Sequence, residues 1–235
     1  MNGRIMKIKY EYSFEDKRKE EFVLNLDDSD LSLEPLPVDE NDSWIRLGFH
    51  QCGECPLEPD THKYCPVARN LLYILMQFKD NFSYDMVSTR VETNCRVVEK
   101  ETSLQEGLSP LIGLIMASSG CPILDKFRPM VFTHLPFADE NETIYRAVSS
   151  YLLAQHIKEL NGKEPDWKLE KFEDMYTRVE RINRAFFRRF RVIEGKDANV
   201  NALVILDLFA KLGTFPLLDN WMETIQPFFS AFLNE

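Results

Sequence analysis

Hydrophobic residues recur at every second position in two stretches of the first hundred residues, and from residue 103 onward the period lengthens to that of a helix. Ile8, Tyr10, Tyr12 and Phe14 alternate with polar residues, and Phe22, Leu24 and Leu26 do the same after the charged run 15–20 (EDKRKE). Strand side chains point alternately to opposite faces, so this pattern builds a hairpin with one apolar face and a charged turn. Val87, Thr89, Val91, Cys95 and Val97 repeat the alternation, with 92–94 (ETN) as the turn of a second hairpin. In that pattern Cys95 reads as a small buried hydrophobe. Two hairpins suffice for a small antiparallel sheet.

The segments around the hairpins carry start and stop signals. The polar, proline-containing stretch 27–43 reads as a long loop with one short edge strand. Pro66 opens a helical pattern through 68–80, at the first-turn position that proline tolerates best. Ser103 with Glu106 fits a capping box, Ser109-Pro110 reads as a second helix start, and Gly120 reads as a stop. Asp139 with Glu142 repeats the capping logic ahead of a helix to about Leu160, ended by Asn161-Gly162. Further helices are predicted over roughly 168–193, 198–212 and 219–233. The predicted fold class is therefore α+β: a small antiparallel N-terminal sheet of two hairpins followed by a helical bundle. Residues 1–101 form the β-rich part, with a cysteine-rich loop (50–68) and one helix, and residues 102–235 form the bundle. The two are expected to make one compact unit.

Net charge is −10 with a pI near 5.0, which argues against nucleic acid or an anionic membrane as the main partner, because phosphate binding needs a basic footprint. The opening residues 1–12 carry no apolar core of a secretory signal, and the longest apolar runs (111–117 and 202–210) are too short to span a bilayer. A cytoplasmic location is expected. There, an odd number of cysteines (five) reads as thiols or metal ligands and not as a disulfide framework. Glycine-rich phosphate loops, nucleophile elbows and HExxH are absent from the sequence.

Chemistry concentrates at residues 50–68 (HQCGECPLEPDTHKYCPVA), which hold Cys52, Cys55, Cys65, His50 and His62. A C-x2-C turn presents two thiolates to one ion, and Gly53 gives that turn backbone freedom. A zinc knuckle has the same residue types in the same order, but with a shorter gap before its histidine and a basic, aromatic surface that is missing here. The fourth ligand is open among His62, Cys121 just past a helix end, and His134 in a loop. Three other readings compete with a metal site: unmetallated thiols, a Cys52/Cys55 redox pair, and a catalytic metal with an open position. A nucleophile–base dyad of Cys121 and His134, oriented by Asp125, is a further arrangement.

Elsewhere, Arg181, Arg184, Arg188 and Arg191 share one face of a helix whose other face carries Phe172, Val179, Phe186 and Phe190. On so acidic a chain, a solvated face paired with acidic neighbours is preferred to an anion-binding strip. Arg128 and Arg146 are interior-looking charges that could pair with Glu106, Asp125 or Glu142, or else line an anionic ligand pocket. Tyr145, Tyr151, Gln155 and His156 on the same helix as Arg146 read as core-edge residues with internal hydrogen bonds. Trp221, Phe228, Phe229 and Phe232 read as core packing, with an apolar stripe for a homo-oligomer as the alternative.

Several strings taken together, CPL (55–57), CPVA (65–68), 103–122 (SLQEGLSPLIGLIMASSGCP), RPM (128–130), HLPF (134–137), 142–155 (ETIYRAVSSYLLAQ) and NALVILD (201–207), resemble a bacterial family known as a domain of unknown function. The hairpin ending FVLNLD (22–27) fits too, so the resemblance covers nearly the whole chain. It implies no activity, substrate or cofactor. It does imply that Cys55, Cys65, Cys121 and His134 lie within motif strings whereas His62 does not, which favours Cys121 and His134 as distant ligands. The expectation is a mainly structural zinc site of Cys52, Cys55, Cys65 and Cys121, with His134 close by, in a binding or regulatory protein. The alternative is a metalloenzyme or thiol-dependent enzyme using the same residues.

Overall fold

Strand β1 (Ile5–Phe14) sits at the centre of the sheet because both its edges are used. It pairs antiparallel with β2 (Lys19–Asp27) on one side and with β3 (Met86–Thr93) on the other, and β3 pairs with β4 (Val97–Ser103), giving the order β2-β1-β3-β4. These elements come from a computed structural model that describes residues 5–193, 195–211 and 215–234. Register places Tyr10 between Phe22 and Val91, and Tyr12 opposite Thr89. One face of the sheet is therefore Ile8, Tyr10, Tyr12, Phe22, Leu24, Leu26, Val87, Thr89 and Val91, all buried. The other face carries surface ion pairs such as Lys9–Glu21 at 2.7 Å.

Helix α1 (Pro66–Phe78) lies between the two hairpins in sequence and α2 (Leu104–Ser118) follows the second. Their buried side chains share one core with the sheet, together with α5 (Glu170–Phe190) and α6 (Ala198–Lys211). Fully burying each large apolar side chain contributes about 1.5–3 kcal/mol, so packing and not propensity holds these helices. Tyr12 shows the fit: its ring meets Phe78 edge-on at 5.2 Å, and its hydroxyl donates to the Gly107 carbonyl at 3.0 Å. After α3 (Arg128–Phe132) comes α4 (Glu140–Leu160), which starts at the expected capping box of Asp139 and Glu142 and ends at Asn161, before Gly162 with φ +68°. A second core joins α4, the first half of α5 and α7 (Phe215–Ile225) through Val148, Phe172, Tyr176 and Trp221. Helix α5 thus spans both cores, with Phe172, Met175 and Tyr176 in one and Ile182, Phe186 and Phe190 in the other.

Five expectations change. Ser109-Pro110 does not start a helix, because Pro110 lies inside α2. Burial along α2, from Leu104 to Ile115, outweighs the local break. Ser103 is the N-cap of α2 but its side chain makes no cap bond, and Glu106 instead accepts from the Thr102 hydroxyl. Cys95 is exposed, since the alternation stops at Val91 and the thiol falls in the turn before the edge strand β4. The last predicted helix ends at Ile225, where Pro227 converts the chain to a 3-10 turn (Gln226–Phe229) before the short α8 (Ser230–Leu233). Trp221 is buried there, but Phe228 and Phe232 are exposed. The short edge strand expected in 27–43 is a single bridge, Leu26 with Leu33. Residue 212, the expected end of α6, lies outside the described residues.

Candidate functional site

The loop from Arg46 to Cys65 closes on itself before it meets the helices. Arg46 and Tyr64 form an antiparallel bridge, flanked by Leu47 N–H to the Lys63 carbonyl at 3.1 Å and Cys65 N–H to the Ile45 carbonyl at 2.9 Å. Within the loop, the Cys55 N–H reaches the Cys52 carbonyl at 3.0 Å, forming the tight C-x2-C turn. Glu54 at the tip of that turn is held by Arg181 and by Arg178 at 3.7 Å, both from α5. Of the arginine face of α5, Arg181 and Arg184 therefore pair with acidic neighbours, Arg184 with Glu180 at 2.8 Å.

Four thiols from three separate chain segments come within electrostatic range of one another. Cys52 and Cys55 sit on the loop, Cys65 is the N-cap of α1, and Cys121 follows the end of α2. All four are free and partly buried. Burial first, and then Cys65, Cys121 and Cys55, push the Cys52 thiol up to about 12. Burial also raises Cys65 and Cys121, but two backbone N–H groups point at each sulfur and oppose the shift: those of Ala68 and Val67 at Cys65, and of Leu124 and Ile123 at Cys121. N–H donors aimed at sulfur favour the thiolate, so the turns are shaped for a charge the buried thiols do not carry.

Arg189 was not singled out by sequence reasoning. It is 1% exposed, in the centre of the same region. Its guanidinium donates to the carbonyl of Trp44 and to those of Arg46 at 3.0 Å and Leu47 at 3.2 Å, and the Trp44 indole N–H donates back to the Arg189 carbonyl at 2.8 Å. Its charge also lies 5.5–5.8 Å from the rings of Trp44, Phe49 and Phe186. The groups whose electrostatics bear on it are the sulfurs of Cys65, Cys52 and Cys55. One signal existed: Ile182, Phe186 and Arg189 recur at i, i+4 and i+7, which puts the arginine on the apolar stripe of α5.

His134 is buried with Nε2 2.6 Å from the Tyr10 hydroxyl, and burial, then Arg146 and Arg96, lower its pKa to about 3. His62 is exposed, with Nδ1 2.9 Å from the Thr61 hydroxyl, and His50 stacks edge-on with Phe49. Asp125 pairs with Arg128 at 3.1 Å, so the carboxylate of the expected dyad serves an arginine. Arg146 donates to the Met130 carbonyl at 2.7 Å, and Tyr151 and Gln155 make internal hydrogen bonds to Asp166, as core-edge residues do. Among the described residues, no group of three or more His, Cys, Asp or Glu residues is arranged so that it could hold a metal ion, and no helix is long and apolar enough to cross a membrane.

The loop thiols, Cys65 at the start of α1 and Cys121 after α2 thus make up the candidate site. The chain belongs to the family described as Domain of unknown function (DUF6901), which it matches over residues 8–230. Comparison with curated proteins and with solved structures gives no match.

Proposed function

We propose that this protein is a metal-binding protein with a binding or regulatory role, in which Cys52, Cys55, Cys65 and Cys121 hold a structural zinc ion. The observation that carries the reading is the convergence of four free thiols beside a buried arginine. A buried cation is costly unless opposite charge compensates it. Four neutral thiols do not balance the Arg189 charge, whereas four thiolates around a divalent ion leave two units of negative charge beside it. The N–H groups on Cys65 and Cys121 suit the same state. His134 has no part in it, being engaged with Tyr10. Four protein ligands leave no open position, which favours a structural over a catalytic ion. Free thiols and ligated thiolates both fit a reducing compartment such as the cytoplasm.

The test is elemental analysis of protein purified without added metal. One equivalent of zinc in the natural sequence is expected, with retention falling well below half in Cys55→Ser and Cys121→Ser. Chelation is expected to lower the melting temperature of the natural protein and to leave that of Cys121→Ser unchanged. Substoichiometric metal in the natural protein would overturn the reading, and a stoichiometric redox metal would replace zinc by a different ion in the same thiols.

A further inference from the structure

Away from the thiols, β4, α2, the α3 region, α4, α5 and α6 line a partly open pocket of about 430 Å³. Its walls are apolar, with Leu114 of α2, Phe127, Val131 and Leu206 of α6 among them. It falls in the range of small-molecule pockets, which combine an apolar lining with a few polar groups.

The polar groups are donors. Tyr176 and Asn183, seven residues apart on α5, share the face that lines the cavity. Asn183 is 1% exposed, and its Nδ2 has no hydrogen-bond partner among the described residues. Such a buried amide calls for a partner that the fold itself does not supply. Arg146 lines the same space, with Nη2 on the Met130 carbonyl at 2.7 Å and Nε on the Thr133 hydroxyl at 3.5 Å; both partners are neutral, and Nη1 is left over. Lys100 stands at the cavity too, 5.6 Å from the Phe137 ring, and Glu106 beside it is occupied by Lys100 at 4.0 Å and by the Thr102 hydroxyl. His134, held neutral on Tyr10, adds no charge. Glu142 and Arg96 also act on Arg146, so the positive groups Arg146, Lys100 and Arg96 outnumber Glu106 and Glu142 and leave a net positive field set in apolar walls.

We infer that this cavity binds a small amphipathic carboxylate, with its carboxylate on Arg146 Nη1 and Asn183 Nδ2 and its apolar body between α2 and α6. At roughly 30 Å³ for each water-sized unit, the space takes a body of about ten to fourteen non-hydrogen atoms. A single guanidinium and a neutral amide match a monoanion; a phosphate dianion would need more donors. The inference is independent of the thiol site, which shares none of these residues.

The experiment is calorimetric titration of the full chain with octanoate and, separately, with neutral 1-octanol. Octanoate is expected to bind saturably at one site, and octanol about tenfold more weakly or less. Arg146→Gln is expected to weaken octanoate about tenfold or more, because a charge-assisted bond is lost, and to leave octanol unchanged. Asn183→Leu is expected to weaken octanoate severalfold while raising the melting temperature, since it removes an unpartnered buried amide. That pairing separates a ligand contact from a structural role, and circular dichroism confirms that each variant is folded. Equal affinity for octanoate and octanol, absence of saturable binding, or a folded Arg146→Gln protein that binds octanoate normally would each overturn the proposal.

Discussion

Replacing Arg189 by methionine tests the clamp that holds the cysteine loop. Methionine is of similar length and unbranched, so it refills most of the volume among Trp44, Phe49 and Phe186, and the cavity contribution to the change stays small. What is lost is polar. Three carbonyls lose their donor, but the Arg46 carbonyl keeps the Phe49 N–H at 3.2 Å, leaving those of Trp44 and Leu47 stripped. An orphaned buried acceptor costs about 1–3 kcal/mol, so the two together cost roughly 2–6 kcal/mol. Relief of the buried guanidinium's own desolvation offsets part of this, and a net loss of about 2–4 kcal/mol is expected. Urea unfolding followed by circular dichroism reads the change as a lower midpoint at constant slope. Arg189→Lys is expected to fall between the two, because one ammonium cannot serve two separated carbonyls as the planar fork does. A methionine variant within about 0.5 kcal/mol of the natural protein would refute the reasoning, since the carbonyls would then be satisfied some other way.

Two further outcomes follow from single contacts. Burial holds the His134 pKa near 3, with Arg146 and Arg96 acting in the same direction and the Tyr10 hydroxyl on its Nε2. The unfolded chain takes up that proton as pH falls through about 6.5 while the fold resists until about 3, so stability drops across that window by up to about 1.4 kcal/mol per pH unit. Between pH 6.5 and 5 this amounts to about 2 kcal/mol, and His134→Gln should show a correspondingly shallower loss; parallel curves would contradict it. Gly107→Ala would place a methyl group 2.6 Å from Thr89 Oγ1 and 3.2 Å from the Tyr12 ring. Alanine's helix preference, about 1 kcal/mol, is outweighed by a clash of about 1–3 kcal/mol, so the melting temperature should fall, and a rise would show that α2 and the sheet have room to part.

The strands were legible because their alternation is a local property: Ile8, Tyr10 and Tyr12 are fully buried, as the two-residue period requires. The α+β order and the start of α4 followed from equally local signals, down to the reciprocal bonds of Asp139 and Glu142. Local signals failed where long-range burial outweighed them. Pro110 sits inside a helix because α2 is covered along its length, and Cys95 is exposed because it falls in the turn between β3 and β4. Phe228 and Phe232, read as core packing with an open apolar stripe as the alternative, are exposed, since helical spacing alone does not distinguish a covered stripe from an open one.

The site divides in the same way. Spacing alone marked Cys52, Cys55 and Cys65 as neighbours, since a C-x2-C turn is a local geometry. Bringing Cys121 to them takes the packing of α2 against α1, a distant event that the motif strings anticipated only as shared membership of a family. His134 has the same long-range character and went the other way, toward Tyr10 on the central strand. Two residues central to these sites, Arg189 and Asn183, were hidden for a physical reason. A polar side chain on the apolar stripe of an amphipathic helix looks like a flaw in the pattern until the groups facing it are known. For Arg189 those groups are three carbonyls and a set of sulfurs; for Asn183 they are the wall of a cavity. Both lie on α5, the helix that joins the two cores. A polar residue in an apolar helical stripe is therefore the pattern to search for in this family, because burying it is costly unless an opposing group gives it a purpose.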